Sequence, residues 1–162
     1  MHATVRSVIE MASERQQDVC ILDTEASPEH LSRGTAQYAD AMLLVVEPYF
    51  KSLETGRRMA ALAKDLGLEE VALIANKMRG DEDLEAVREF ARSNELEIGG
   101  VIPFDERMQG AERAGKSPFD FDPDAPAVAA IEAVARKFVE GAGQNGSLGS
   151  SNGAGGNGAS HA

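Results

Sequence analysis

Asp18-Val-Cys-Ile-Leu-Asp23, running into Thr24-Glu-Ala-Ser-Pro28, is the stretch on which the fold reading turns. Its apolar residues are continuous rather than alternating, stop at an acid, and give way to small and turn-forming residues. A short run of that kind reads as a strand covered on both faces. Three more follow the same plan: Ala41-Met-Leu-Leu-Val-Val46 ends at Glu47-Pro48, Val71-Ala-Leu-Ile-Ala75 at Asn76-Lys77, and Ile98 to Phe104 at Asp105.

Helical spacing fills the intervals. Thr4 to Arg15 places Val5, Val8, Ile9 and Ala12 on one face, and Ser27-Pro28 suits the start of a helix carrying Leu31, Thr35 and Tyr38. Ser52 to Leu66 keeps Leu53, Gly56, Met59, Ala60, Ala63 and Leu66 in register and stops at Gly67. Asp81 to Asn94 turns Leu84, Val87 and Ala91 inward, and Glu106 to Ala114 forms a shorter helix. Pro118 to Pro126 reads as irregular, and Val128, Ile131, Ala135 and Phe138 mark a last helix. Strand alternating with helix predicts an α/β domain with a parallel sheet of four strands flanked by helices.

The chain has 162 residues and a formal net charge of -11, all of it outside residues 141–162, which contain no Asp, Glu, Lys or Arg. Residues 1–140 are therefore expected to form one domain and 141–162 a flexible Gly/Ser/Asn tail. So negative a surface disfavours nucleic acid and anionic membranes as partners. Cys20, the single cysteine, lies inside an apolar run and reads as a small buried hydrophobe. Without a signal-peptide core or a membrane-length apolar run, the expected setting is the cytoplasm. His2, His30 and His161 lack partners at metal-ligand spacing and read as solvated.

Candidate chemistry sits where the strands end. In open α/β sheets ligands bind beyond the carboxyl ends of strands. Asp23 at such an end can hold a Mg²⁺-bound water, although an acid there also serves as an N-cap. Asn76 can give and accept hydrogen bonds along a purine edge, and Lys77 beside it is otherwise a solvated charge. No aspartate stands two residues after Lys77, so adenine is favoured over guanine.

A letter-for-letter phosphate-loop pattern, Gly110-Ala-Glu-Arg-Ala-Gly115-Lys116-Ser117, lies elsewhere. A working loop links a strand directly to a following helix. Here helix-forming residues precede it and Pro118 follows, while Glu112 would put a negative charge into the phosphate nest. It reads as coincidence.

In their order these signals resemble the MinD/ParA class of P-loop ATPases, and within it the CooC-type accessory ATPases of carbon monoxide dehydrogenase. The residues that carry the resemblance are Asp23-Thr-Glu-Ala-Ser-Pro-Glu-His-Leu-Ser-Arg-Gly34, Val45-Val-Glu-Pro48 with Ser52-Leu-Glu-Thr55, Asn76-Lys77, and Gly100-Val-Ile-Pro-Phe-Asp105. The resemblance implies ATP and Mg²⁺ as cofactors, with Asp23 on the metal-bound water and the following turn as the γ-phosphate switch. It puts Asn76 and Lys77 at the adenine, with Pro103, Phe104 and Asp105 bordering it. It further implies nickel insertion into, or maturation of, a metalloenzyme client, with ATP driving dimerisation around the metal.

Three departures accompany it. The lysine-bearing phosphate loop and the family's paired cysteines would lie upstream of Met1. Ser27 stands where the family has a switch glycine, and its side chain obstructs close approach to a phosphate. The expectation is therefore the carboxy-terminal portion of such an ATPase, a truncated or split form whose partner is a missing amino-terminal half or a second copy, and which does not hydrolyse ATP alone. A non-catalytic interaction module stands as the alternative. A last expectation concerns strand order. The family's phosphate-loop strand would separate Asp18–Asp23 from Ala41–Val46; in its absence these two should pair directly, giving four parallel strands in chain order.

Overall fold

The computed structural model describes residues 19–23, 39–68 and 70–145. The described elements are β1 (Ala41–Val46), α1 (Phe50–Asp65), β2 (Glu70–Met78), α2 (Asp81–Ser93), β3 (Glu97–Pro103), α3 (Glu106–Arg113), α4 (Pro118–Phe121) and α5 (Pro126–Asn145). Both strand pairings are parallel, and the sheet order β1-β2-β3 follows chain order.

One face of the sheet turns Leu44, Val46, Leu73, Ala75 and Met78 onto Met59 of α1 and Val87 and Ala91 of α2, forming the main core. This is the continuous-strand pattern at work, since the alternate residues Ala72 and Ile74 of β2 are buried on the opposite face. There α5 lies close to β3. A Cβ on Gly100 would collide with Val134, and one on Gly99 would come within 2.9 Å of the Phe138 ring and 3.0 Å of Ala72. One helix covers about two strands, given an inter-strand spacing near 4.8 Å and a helix about 10 Å wide. On β1, at the edge of the sheet formed by the described residues, Leu43 and Val45 are accordingly exposed.

Three helices end the same way. After α1, Gly67 (φ 78°) donates to Lys64 O at 3.0 Å and Leu68 to Ala63 O at 3.0 Å. After α3, Gly115 (φ 62°) and Lys116 repeat the pair onto Glu112 O and Ala111 O. Glu95 (φ 55°) and Leu96 do so after α2. Each is a left-handed stop that satisfies terminal carbonyls, achieved once without glycine.

Several expectations need correction. Residues 19–23 form no strand, and Val19, Ile21 and Leu22 are exposed. The described sheet has three strands, and Asp18–Asp23 does not pair with β1 through its described residues. Apolar content alone does not hold a strand; it needs a neighbouring ladder to take up its backbone groups and a covering element for its side chains. Cys20 is exposed for the same reason. Within the stretch expected to be irregular, Ser117 caps the short helix α4 by accepting from Asp120 N at 3.1 Å, with Pro118 in its first turn. The helices expected at Thr4–Arg15 and after Ser27 lie outside the described residues. The last helix continues through Gly141 to Asn145.

Candidate functional site

The carboxyl ends of β1, β2 and β3 lie side by side, and the end of β2 is irregular. Ala75 pairs with Val101 and Met78 with Pro103, so β2 spends three steps where β3 spends two. The extra residue is a bulge at Asn76-Lys77, and Lys77 takes a left-handed φ of 59° to make it. The Asn76 side chain supports the kink, its Oδ1 accepting from Lys77 N at 3.0 Å. That leaves the Asn76 amide NH₂ and one lone pair for a ligand.

Lys77 reaches across to the end of β1, where Nζ lies 2.8 Å from Glu47 Oε1. The Glu47 carboxylate raises the affinity of Lys77 for its proton. Glu47 N donates in turn to Ser52 Oγ at 2.9 Å, which joins this strand end to the first turn of α1. The ion pair is open to solvent and serves mainly to orient the lysine.

On the β3 side, Phe104 N donates to Met78 O at 2.9 Å, extending the ladder by one bond past Pro103. Asp105 is the N-cap of α3. Its Oδ1 accepts from Arg107 N and Arg107 Nε, both at 3.0 Å, and its Oδ2 faces Ala127 N in the first turn of α5 at 3.5 Å. Arg107 also bonds Asp122 Oδ2 at 3.2 Å. The backbone and side-chain donors of Arg107 hold the Asp105 carboxyl below its ordinary range, against the effect of burial. Asp105 is thus committed to fastening two helices.

The structure brings Asn76, Lys77, Pro103, Phe104 and Asp105 together at one end of the sheet. Asp23 is exposed at the end of the irregular stretch 19–23. A magnesium ion that keeps most of its waters needs only one or two protein carboxylates plus substrate phosphates, which a lone Asp23 suits. Among the described residues no group of three His, Cys, Asp or Glu side chains is placed to enclose a metal. Two neighbours were not legible as site residues. Glu47 reads in the sequence as a strand terminator and as part of the resemblance but not as a site residue, and Arg79, whose guanidinium carbon lies 3.5 Å from the Phe104 ring centroid, carries no sequence signal.

The phosphate-loop pattern does not form a strand-to-helix turn. Gly110 to Arg113 belong to α3, Gly115 and Lys116 form its left-handed stop, and Ser117 begins α4. A helix carboxyl end presents carbonyl oxygens and the negative pole of the helix dipole, the reverse of a phosphate nest. Lys116→Ala should therefore leave Mg-ATP affinity within about twofold of the unaltered chain, as for any solvated charge. A tenfold loss in a calorimetric titration would restore the pattern as a phosphate site.

No protein-family model matches the chain. The carbon monoxide dehydrogenase accessory protein CooC of Rhodospirillum rubrum is 34% identical over 122 residues, 75% of this chain and 46% of CooC. An uncharacterized ATP-binding protein of Methanocaldococcus jannaschii is 41% identical over 109 residues, 67% of this chain and 42% of that protein. Among solved structures, the septum site-determining protein MinD of Pyrococcus horikoshii, complexed with Mg-ADP, superposes with a TM-score of 0.61 at 17% identity. That match covers 86% of this chain and 58% of the MinD chain. The MinD cell division protein of Aquifex aeolicus gives a TM-score of 0.55 at 24% identity, over 65% and 46%. The chain spans about half the length of the curated relatives it matches. Both the sequence matches and the α/β architecture lead to one conclusion: over the part of these proteins that it spans, the chain is CooC-like in sequence and MinD-like in fold.

Proposed function

We propose that this chain supplies the adenine-binding and metal-water elements of a CooC-type ATP-binding protein that serves maturation of a metalloenzyme. The observation that carries the reading is the convergence of the Asn76-Lys77 bulge with Pro103 to Asp105 at one end of a parallel sheet. Asn76 offers its amide to the base edge, Pro103 and Phe104 border the base site, and Asp23 takes the metal-bound water. Nickel insertion into a carbon monoxide dehydrogenase is the role suggested by the CooC relative, with a homodimer or a complementary nucleotide-binding half as partner and the cytoplasm as setting.

Most of the grip on a nucleoside triphosphate comes from amides and a lysine around its phosphates. These 162 residues hold a single match to the phosphate-loop pattern, at a helix carboxyl end. A few contacts worth about 1 kcal/mol each fall short of the roughly -8 kcal/mol of a micromolar complex. Mg-ATP should therefore bind this chain no tighter than about millimolar, without turnover above background. Titration of the isotope-labelled chain should move the amide signals of residues 76–79, 104 and 105, and Asn76→Ala should abolish the response. Shifts spread over the surface, or unaltered by Asn76→Ala, would sink the reading; micromolar affinity with steady phosphate release would show a phosphate site elsewhere in the chain. A non-catalytic interaction module is the second reading, favoured by the exposed Leu43, Val45, Tyr49 and Phe50.

A further inference from the structure

We propose that Arg79 is the stacking platform for the purine, a role that rests on the base-site reading above. Its guanidinium carbon lies 3.5 Å from the centroid of the Phe104 ring, the separation of stacked planes. The guanidinium has no carboxylate within ion-pair distance among the described residues. In a chain with 27 acidic residues, its described partner is a ring instead. Arg79 N donates to Asp83 Oδ2 at 2.8 Å, which anchors its backbone to the first turn of α2. Phe104 is anchored by the bond from its N–H to Met78 O, the residue directly before Arg79.

The two planar groups are thus held by backbone bonds as well as by each other, with Arg79 three residues after Asn76. A flat cation has two faces. Phe104 takes one, and the exposure of Arg79 leaves the other to solvent. A purine laid on that outer face continues the stack while Asn76 meets its edge, so the guanidinium holds the ring plane and Asn76 reads it. The larger π surface of a purine favours it over a pyrimidine on such a platform. Charge contributes as well: the platform places a cation beside the ligand on a surface that is otherwise strongly negative.

The opposing arrangement makes Arg79 a cover over the Phe104 face that the base itself would take. The two differ in sign. Titrations of the full isotope-labelled chain with adenosine monophosphate, uridine monophosphate and ribose 5-phosphate separate them. As a platform, Arg79→Ala should weaken adenosine monophosphate binding by about tenfold. Arg79→Lys, which keeps the charge but not the plane, should lose most of the same affinity, and ribose 5-phosphate binding should be unmoved by either change. Unchanged or tighter adenosine monophosphate binding in Arg79→Ala would overturn the proposal while leaving the base site standing. Full retention in Arg79→Lys would reduce the residue to a charge and overturn it too. If the unaltered chain binds adenosine monophosphate no better than ribose 5-phosphate, the base-site reading fails and the platform with it. Arg79 is exposed, so its variants should keep the fold, and unperturbed signals from β1 and α1 check this.

Discussion

Gly100→Ala should destabilise the domain by about 3 kcal/mol, a large share of the stability of a single domain. The added methyl group falls on Val134 of α5 and within 3.7 Å of Ile74. Gly99, the extra residue of the β3 bulge, already sits near the limit against Phe138 and Ala72, so α5 has no room to slide along the strand. Relief requires lifting the helix off the sheet or forcing Val134 from its rotamer, and both forfeit packing on Ile74 and Ala72. Urea unfolding should show a lower midpoint at unchanged slope. Trimming the obstruction should help: in Gly100→Ala with Val134→Ala, the combined loss should be smaller than the sum of the single losses. Gly80→Ala, in open space with an extended backbone, supplies the control and should cost only about 1 kcal/mol, through a poorer N-cap for α2. A loss that small at Gly100 would mean the helix does not lie where the structure puts it.

Asp105→Ala should lower the melting temperature by on the order of 5 °C or more. The side chain is 7% exposed and serves Arg107 N, Arg107 Nε and Ala127 N, so its removal strips a cap from two helices together. The pH dependence has a definite sign. The folded carboxyl is held below the 3.8 of a free aspartate, first by the Arg107 backbone N–H. Its contribution is therefore complete above about pH 4 and is lost as the pH falls from there through the folded value. Asp105→Asn should flatten that part of the acid limb.

Glu54 is also drawn down, to about 2, by hydrogen bonds from Arg57 and Arg58, and its contribution is lost in the same direction. Glu54 lies on the solvent-facing side of α1, where salt screens it, whereas the acid limb due to Asp105 should persist in high salt. An acid limb in Asp105→Asn identical to that of the unaltered chain would remove Asp105 as the clasp.

The sequence showed most clearly those elements whose apolar residues find cover nearby. Ala41–Val46 matches β1 residue for residue, and the α1 stop at Gly67 was legible because a left-handed stop favours glycine. The α2 stop at Glu95 was not, since a left-handed glutamate leaves no mark in the letters. Asp18–Asp23 has the composition of β1, yet residues 19–23 are exposed; composition states what a segment would bury, and only a neighbour determines whether it does. Within the site, Asn76-Lys77 stood out because polar residues closed an apolar run, and Pro103 to Asp105 through the resemblance alone. The bulge that brings them together did not, as it depends on a count of steps shared between two strands. Arg79 escaped notice because stacking on Phe104 needs nearness in space, from residues 25 apart in sequence.

That the sheet runs β1-β2-β3 in the order of the chain bears on how the molecule is made. Each strand pairs with the one synthesised just before it, across a single helix, so no pairing waits for a distant segment. As the chain leaves the ribosome, β2 and α1 can close on β1 before β3 exists, and β3 then adds to a finished edge. Each closure spans one helix, a modest entropic cost, although parallel ladders form more slowly than helices or hairpins. The one late requirement is α5, the last described helix, which seals the second face over Gly99 and Gly100. Until it arrives, Ala72 and Ile74 face water, and the emerging chain is most in need of a chaperone just as translation ends.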